Sequence, residues 1–442
     1  MPATLHALWQ RTAKAKPNAP ALLDAAANRT WTRAELAELG AGWARAHGVD
    51  LRGQRVVFAE PNGAEWLRVF LGVQACGATA IALDPGEPLA ALRAVAARAG
   101  AAFLWRDGKL ETLSAGRRVP GGRACLLKVT SGSTGVPKTL PFTDEQMIAD
   151  GRQVCATMGI KATDINLGCI PFGHSYGLGN LVLPLLLQGT AIVSGADVLP
   201  HALAAAIATW LPPVFPAVPT LLRGWAEAEI PPRQLRSLRM VISAGAPLAP
   251  EIAQALKRKF DLPVHNFYGS SETGGIAYDR TGTAALTGRS VGRPMKGVTL
   301  TFAQSGRFFV ASAAVGGRGR FSPADRGELN ARDELVLLGR SGRMVKIGGR
   351  RLDPAEVERA LRGMPGVADA VVELNPQRAD SLVAVVASRC LPAAVKDFLQ
   401  GQIASWKIPR RILAIPAFPT TARGKTDMRQ LRELLHGVPR VS

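Results

Sequence analysis

Tyrosine and cysteine are scarce in this sequence, with three tyrosines and five cysteines in 442 positions. Few tyrosines leave little material for a base-stacking platform, and no nucleic-acid-binding motif accompanies them. The cysteines (Cys76, Cys125, Cys155, Cys169 and Cys390) are odd in number, scattered and without a C-x-x-C pair. That pattern argues against a disulfide framework or zinc site and predicts reduced, mostly buried thiols. A long apolar run is also missing. Leu178 to Val193 is interrupted by Asn180, Pro184, Gln188 and Gly189, and falls short of the roughly 20 apolar residues a membrane span needs. It reads as a buried helix leading into a strand. Met1 to Pro20 has scattered polar and basic residues and no secretory apolar core, so the expected location is cytoplasmic. Acidic residues are outnumbered, 34 against 54 lysines and arginines, for a formal charge of +20. Such a surface attracts nucleic acid, an anionic membrane face, or partners bearing phosphate and carboxylate. The charge alone does not choose among them.

What is present is ample core material, 47% apolar in a chain long enough for two or three domains. Leu5 to Gly48 reads as largely helical, with Thr32 capping a helix and Glu35 three residues later. A strand fits Arg55 to Ala59, a helix Asn62 to Gly77, and a strand Ala78 to Leu83 before the turn Asp84-Pro85-Gly86. The alternation resumes through Ile192, the helical stretch Leu203 to Trp210 and the apolar run Met240-Val241-Ile242. This is the pattern of an open α/β sheet. After Gly288 short β-like pieces with glycine turns take over, and a flexible joint follows Val336 to Gly339, near Ser341-Gly342. The last hundred or so residues alternate helix (Pro354 to Arg362), strand (Ala368 to Leu374), strand (Leu382 to Ala387) and helix (Pro392 to Ala404) before a terminal basic loop and helix. They suffice for a small α+β domain.

Three loops follow three strand-like runs. The first, Thr130-Ser131-Gly132-Ser133-Thr134-Gly135-Val136-Pro137-Lys138, has glycines that bring backbone N–H groups close to an anion, four hydroxyls, and a lysine. It suits a triphosphate, although Pro137 before Lys138 rules out a Walker A loop. Alone it could equally be a surface turn. The second is Ser243-Ala244-Gly245-Ala246-Pro247-Leu248, and the third Tyr268-Gly269-Ser270-Ser271-Glu272-Thr273. Ligands of open α/β sheets gather at the carboxyl ends of strands, where these loops could line one crevice.

In chain order, the stretches Thr130 to Lys138, Pro171-Phe172-Gly173-His174-Ser175-Tyr176-Gly177, Gly245-Ala246-Pro247, Tyr268 to Glu272, Asp325-Arg326-Gly327, Gly339-Arg340, Lys346-Ile347-Gly348-Gly349 and Pro419-Thr420-Thr421-Ala422-Arg423-Gly424-Lys425 resemble the adenylate-forming superfamily of acyl-CoA synthetases, aryl-CoA ligases and adenylation domains. The resemblance covers nearly the whole chain. It implies an α/β fold: a large N-terminal domain of stacked αβ subdomains over residues 1–340, binding ATP and the acid, and a small mobile α+β C-terminal domain over 341–442 carrying the catalytic lysine. The implied activity is attack of a carboxylate on the α-phosphorus of ATP, giving acyl-AMP and pyrophosphate, then transfer of the acyl group to a thiol. By the same carry-over, Thr130, Ser131, Gly132, Ser133, Thr134, Gly135 and Lys138 hold the β- and γ-phosphates. Glu272 helps hold Mg²⁺, and Lys425 reaches the carboxylate and α-phosphate oxygens. Tyr268, with Gly269, Ser270 and Ser271 after it, lies against adenine, and Gly245, Ala246 and Pro247 line the other side. Asp325 binds the ribose hydroxyls with Arg340 nearby, and His174 gates the carboxylate pocket. Lys346 to Gly349 replace Lys425 for thiol transfer after the small domain rotates.

The chain departs from its relatives at Gly342, where they carry Asp or Lys, at Pro323-Ala324 before Asp325 in place of Thr-Gly, at Ser271 in place of threonine, and at Arg423. Phe172 to Asn180 holds no aspartate to pair with an α-amino group, which disfavours amino-acid substrates. An aromatic or medium-chain aliphatic acid is expected, aromatic first. The acceptor is coenzyme A or the phosphopantetheine of a carrier protein, since a basic surface attracts both coenzyme A's phosphates and an acidic carrier. Two other classes stay open on the sequence: a catalytically weakened adenylate-binding or carrier-docking protein on the same fold, and a basic nucleic-acid-binding protein.

Overall fold

Short aliphatic runs, each ended by a turn and followed by a helix, build two sheets with parallel centres. The structure, a computed structural model, describes residues 3–47, 51–113, 124–130, 138–316, 319–340, 345–347, 350–375, 381–421 and 426–436. In the larger sheet six strands run parallel in the order Val264–Ser270, Met240–Ser243, Val214–Ala217, Ile165–Leu167, Ala191–Ser194 and Pro20–Asp24. Antiparallel strands Gly274–Tyr278 and Arg293–Pro294 extend one edge, and Arg29–Thr32 closes the other. The second sheet has the parallel strands Phe103–Arg106, Arg55–Phe58, Thr79–Ala82 and Ala124–Thr130, flanked by antiparallel Lys109–Thr112 and Lys138–Thr143. Central strands such as Thr79–Ala82, Ala191–Ser194 and Met240–Ser243 are buried at every position, as helix cover on both faces requires.

Between the sheets lies a core built largely of helices Leu5–Ala15, Arg33–His47, Ala64–Ala75 and Leu183–Gln188. Arg33–His47 and Ala64–Ala75 approach so closely that a methyl group on Gly72 would lie 2.3 Å from Trp43 Cε3. Two helix starts follow from sequence chemistry. Thr32 and Glu35 exchange hydrogen bonds, Thr32 N–H to Glu35 Oε2 at 2.7 Å and Glu35 N–H to Thr32 Oγ1 at 3.2 Å. Thr143 and Gln146 make the same reciprocal cap on helix Asp144–Met158.

The chain divides into two compact units, residues 1–300 with 310–321 and residues 301–309 with 322–442. Both sheets belong to the first. The second contains the strands Val367–Leu374, Leu382–Ser388 and Arg411–Ile415, the first two antiparallel and the last two parallel. Alternate residues of these strands face opposite layers, as the period of two demands. Val372, Ala384 and Val386 meet helices Pro354–Arg362 and Pro392–Gln400, whereas Val371, Val383 and Val385 meet Leu431 and Leu435 of helix Met428–His436. The joint expected at Ser341-Gly342 lies outside the described residues.

Two local expectations are refined. Leu5 to Gly48 is largely helical, as helices Leu5–Ala15 and Arg33–His47, but Pro20–Asp24 and Arg29–Thr32 form a hairpin between them. Ala21-Leu22-Leu23 is too short to reveal a helical or strand period, and its state is decided by pairing with the distant strand Ala191–Ser194. Lys138–Thr143 is a strand paired antiparallel with Ala124–Thr130, and the helix expected near Thr143 follows it as Asp144–Met158. Arg411–Ile415, read within the terminal basic loop, is a strand held by its parallel partner Leu382–Ser388. The five cysteines are free, Cys125 and Cys155 buried and the others half-buried. Among the described residues no helix is long and apolar enough to cross a membrane.

The Gly72 crossing gives a stability test. Alanine is favoured over glycine in a helix by about 1 kcal/mol, but overpacking costs about 1–3 kcal/mol. Gly72→Ala is expected to lower the denaturation midpoint despite its better helix propensity. A raised midpoint would mean that Trp43 moves aside freely.

Candidate active site

The parallel register sets the site. Ser243 lies opposite Ala217 on one side and Asn266 on the other, so Val218 and Gly245-Ala246-Pro247 leave their strands at the edge where Tyr268 runs past the end of the parallel ladder, still paired with Ala277. A Cβ on Gly245 would be 3.8 Å from Val218 Cγ1, which shows how near the first two exits run. Gly245 and Pro247 are exposed there, and Ala246, Tyr268, Ser270, Ser271 and Glu272 are half-buried.

The Tyr268 to Thr273 loop is held from both sides. Ser270 Oγ and Thr273 Oγ1 share a hydrogen bond at 3.1 Å, and Thr273 Oγ1 donates to the Gly274 carbonyl at 3.1 Å. Gly274 turns at φ +69°, a left-handed conformation that favours glycine. The next amide, Gly275 N–H, donates to Asp150 Oδ1 at 3.2 Å. Ser271 and Glu272 therefore project from a turn whose backbone has little freedom.

The His174 loop meets this turn. Ser175 Oγ donates to Ser271 Oγ at 3.1 Å. Tyr176 places its ring 5.7 Å from that of Phe267, and its phenol donates to the Ile242 carbonyl at 3.0 Å. Burial pushes the Tyr176 phenol well above its ordinary pKa, which keeps it protonated and able to donate. His174 itself is half-buried and extended, its N–H donating to Pro171 O at 3.1 Å and its carbonyl accepting from Leu178 at 2.7 Å. Upstream, Asn62 grips the same loop three times. Its Nδ2 donates to the Gly168 and Ile170 carbonyls at 3.0 and 2.8 Å, and its Oδ1 accepts from Phe172 N–H at 2.7 Å. Asn62 follows strand Arg55–Phe58 of one sheet and Gly168 follows strand Ile165–Leu167 of the other, so one amide joins the carboxyl edges of both.

Thr130 and Lys138 face each other as the last pair of the hairpin, and Lys138 is exposed. Ser131, Gly132, Ser133, Thr134 and Gly135 lie outside the described residues, as do Gly348, Gly349 and Lys425. In the second unit Asp325 and Arg340 are register partners on the antiparallel strands Asp325–Leu329 and Leu335–Arg340. Next to them Arg326 pairs with Asp353, which also caps helix Pro354–Arg362 by accepting from Ala355 N–H at 3.0 Å. Thr420 and Thr426 pair across the segment that contains Lys425.

Residues 9–119 and 114–304 match the family model of AMP-binding enzymes, and residues 356–425 match that of the AMP-binding enzyme C-terminal domain. The chain belongs to the AMP-binding enzyme family. The adenylate-forming fold expected from the motifs is that of its structural neighbours. Among solved structures, ATP-bound MatB from Rhodopseudomonas palustris superposes with a TM-score of 0.84 at 20% identity, over 99% of each chain. Among curated proteins, 4-coumarate–CoA ligase 2 of Oryza sativa subsp. japonica is 27% identical over 355 residues, covering 70% of this chain and 62% of that one. A probable non-canonical nonribosomal peptide synthetase, CymA of Salinispora arenicola, is 28% identical over 479 residues, 96% of this chain but 6% of that protein. The chain thus spans less than two thirds of these two relatives.

The donor set of this AMP-binding enzyme fits magnesium. Glu272 supplies one carboxylate beside the hydroxyls of Ser270 and Ser271, all hard oxygen donors, and Mg²⁺ is characteristically held by one or two carboxylates together with substrate phosphates. Among the described residues no group of three His, Cys, Asp or Glu forms a cage for a metal.

Tyr176 and Asn62 are the positioning residues that the motif reading did not assign. Their signal in the sequence is an aromatic with one polar atom and a lone amide, each beside a turn. Tyr176→Phe leaves the Ile242 carbonyl without its donor and is expected to cost about 1 kcal/mol of stability, read by denaturant unfolding. An unchanged midpoint would remove this hydrogen bond from the account.

Proposed function

We propose that this AMP-binding enzyme activates a carboxylic acid with ATP and passes the acyl group to a thiol. The observation that carries the reading is the Ser175–Ser271 hydrogen bond. It ties the loop assigned to the acid to the loop assigned to the nucleotide, within one compact unit, so that two reactants bound there would be held in fixed orientation. Orientation of this kind supplies much of the rate enhancement in two-substrate chemistry.

The acid's oxygen attacks the α-phosphorus of ATP and the bond to the β-phosphate oxygen breaks, releasing pyrophosphate and leaving acyl-AMP. The loop from Thr130 to Lys138 receives the β- and γ-phosphates. Tyr268 and Gly245-Ala246-Pro247 enclose adenine, Asp325 and Arg340 take the ribose, and His174 gates the entry of the acid. Glu272 holds magnesium, which when bound neutralises phosphate charge. Lys425 places an ammonium against the carboxylate and α-phosphate oxygens, where charge builds in the transition state. In the second step a thiolate attacks the acyl carbonyl carbon and AMP departs, with Lys346 to Gly349 replacing Lys425 after rotation of the C-terminal domain (residues 341–442) at Ser341-Gly342.

An aromatic acid is the first substrate class, supported by the ligase for 4-coumarate among the relatives. That relative's name also supports coenzyme A as acceptor. Similarity to a peptide synthetase across nearly the whole chain supports a carrier-bound phosphopantetheine instead, toward which a chain of charge +20 would be drawn if the carrier is acidic.

ATP–pyrophosphate exchange over benzoates, cinnamates and fatty acids tests the first step. Exchange with one acid class is expected, and silence with every acid from a protein that still binds ATP would favour a non-catalytic adenylate binder. With the best acid, coenzyme A and a holo-carrier protein are then compared as acceptors. Lys425→Ala should lower adenylate formation on the order of a hundredfold or more while sparing thiol transfer from supplied acyl-adenylate. Equal loss of both steps would contradict the two-position domain. Glu272→Ala should raise the magnesium concentration needed for exchange, and an unshifted requirement would take Glu272 out of the metal site.

A further inference from the structure

Behind the Glu272 turn sit two charges for which the reaction scheme has no use. Lys128, 5% exposed, lies on strand Ala124–Thr130 two residues before the phosphate loop, and Asp150, 4% exposed, lies on helix Asp144–Met158. The Lys128 ammonium sits 4.2 Å from the ring centroid of Phe142 on the adjacent strand. Of the carboxylates, Asp150 attracts it most and Glu272 next. Asp150 in turn accepts the Gly275 N–H at 3.2 Å, and a Cβ on Gly274 would fall 2.2 Å from Asp150 Oδ1. The carboxylate is therefore packed directly beneath the left-handed corner that follows Glu272 and Thr273.

Burying a pair of opposite charges rarely stabilises a fold relative to well-packed apolar residues, so stability is a poor reason for these two. Their arrangement offers another. One ammonium is attracted by two carboxylates without bonding directly to either, one of them clamped to the backbone of the turn and the other being the metal-binding group. Burial pushes the Lys128 ammonium down in pKa and the Asp150 carboxyl up, and each opposes the shift in the other. Either one alone would be an uncompensated charge below the site.

We propose that Lys128 and Asp150 are positioning residues whose buried charge pair fixes the Gly274-Gly275 corner and thereby aims Glu272 for binding of the nucleotide–magnesium complex. This rests on the adenylation reading for the role of Glu272, but not for the existence of the pair. Lys128 joins the hairpin that carries the phosphate loop to the turn that carries the metal ligand, so the two halves of the triphosphate site are set by one charge interaction.

The test is a double-mutant cycle of Lys128→Met and Asp150→Asn, with three measurements on each purified full chain. These are calorimetric binding of MgATP without acid, hydrogen exchange of the ligand-free peptide covering residues 268–278, and the melting temperature. Each single variant is expected to bind MgATP about 10- to 100-fold more weakly, the range typical when a group supporting a metal ligand is lost. Each should also exchange faster over 268–278. The double variant, which removes both charges together, should recover most of the affinity and protection, the mark of direct coupling. Single variants with unchanged MgATP affinity and unchanged exchange would overturn the proposal even if they melted earlier, since that is the signature of two buried charges that serve the core alone. Losses that simply add in the double variant would overturn it too. If Lys128→Met does not fold, Asp150→Asn, which keeps the acceptor oxygen and the size of the side chain, and the double variant decide by the same criteria. If the unsubstituted chain does not bind MgATP, the adenylation reading fails, while exchange over 268–278 still decides the pair.

Discussion

Parallel strand pairing is the constraint on which the site depends. Parallel ladders place every strand's carboxyl end at one edge, and only loops at that edge can converge without crossing the sheet. Here the ladder from Val214–Ala217 through Met240–Ser243 to Val264–Ser270 fixes which residues emerge together, since Ser243 is flanked by Ala217 and Asn266. A slip of one residue would turn every side chain to the opposite face. It would send the apolar side chains that now fill the core on one side into the core on the other, and neither would pack. Burial of those aliphatic residues thus also sets the position of Gly245 against Tyr268. Hydrogen bonds then refine what the register provides, with Tyr176 holding the Ile242 carbonyl and Ser175 holding Ser271.

The second unit uses the same currency on a smaller scale. Its strands send alternate residues to two apolar layers, and the antiparallel pairing of Asp325 with Arg340 brings together two residues assigned to the ribose from separate motifs. Arg326, between them and the helix cap at Asp353, shows how a charge on one strand can fasten a helix start. Its partner is both ion pair and cap, so the start of helix Pro354–Arg362 is tied to the strand that carries Asp325.

Much of this was legible in the sequence because local chemistry and tertiary demand agree. Helix Pro250–Phe260 begins at a proline and packs an amphipathic face. The caps at Thr32 and Thr143 are spelled out by the glutamate and glutamine three residues on. Strand Met240–Ser243 opens with the unbroken apolar run Met240-Val241-Ile242. The failures occur where pairing with a remote segment decides the outcome: Pro20–Asp24 needs Ala191–Ser194, and Arg411–Ile415 needs Leu382–Ser388. At the site, glycine- and hydroxyl-rich loops advertise themselves. Lys128 and Asp150 do not, because a lysine in an aliphatic strand and an aspartate in an apolar helix face acquire meaning only when folding puts them behind the same turn. Each is an anomaly of pattern that signals a buried charge, and neither names its partner.

Asn62 has a consequence for how the molecule assembles. Its three hydrogen bonds span 106 to 110 residues of chain and join loops belonging to different sheets. Contacts of such separation close only after the intervening chain has been organised, and they slow folding accordingly. During synthesis Asn62 leaves the ribosome long before Gly168 or Phe172 exists, so the edge that follows Arg55–Phe58 must wait, with its amide solvated, for the edge that follows Ile165–Leu167. The His174 loop is therefore a late structure by construction. It takes its final shape only when the two sheets are already docked, and a nascent chain that ends before Gly168 has no partner for the Asn62 amide.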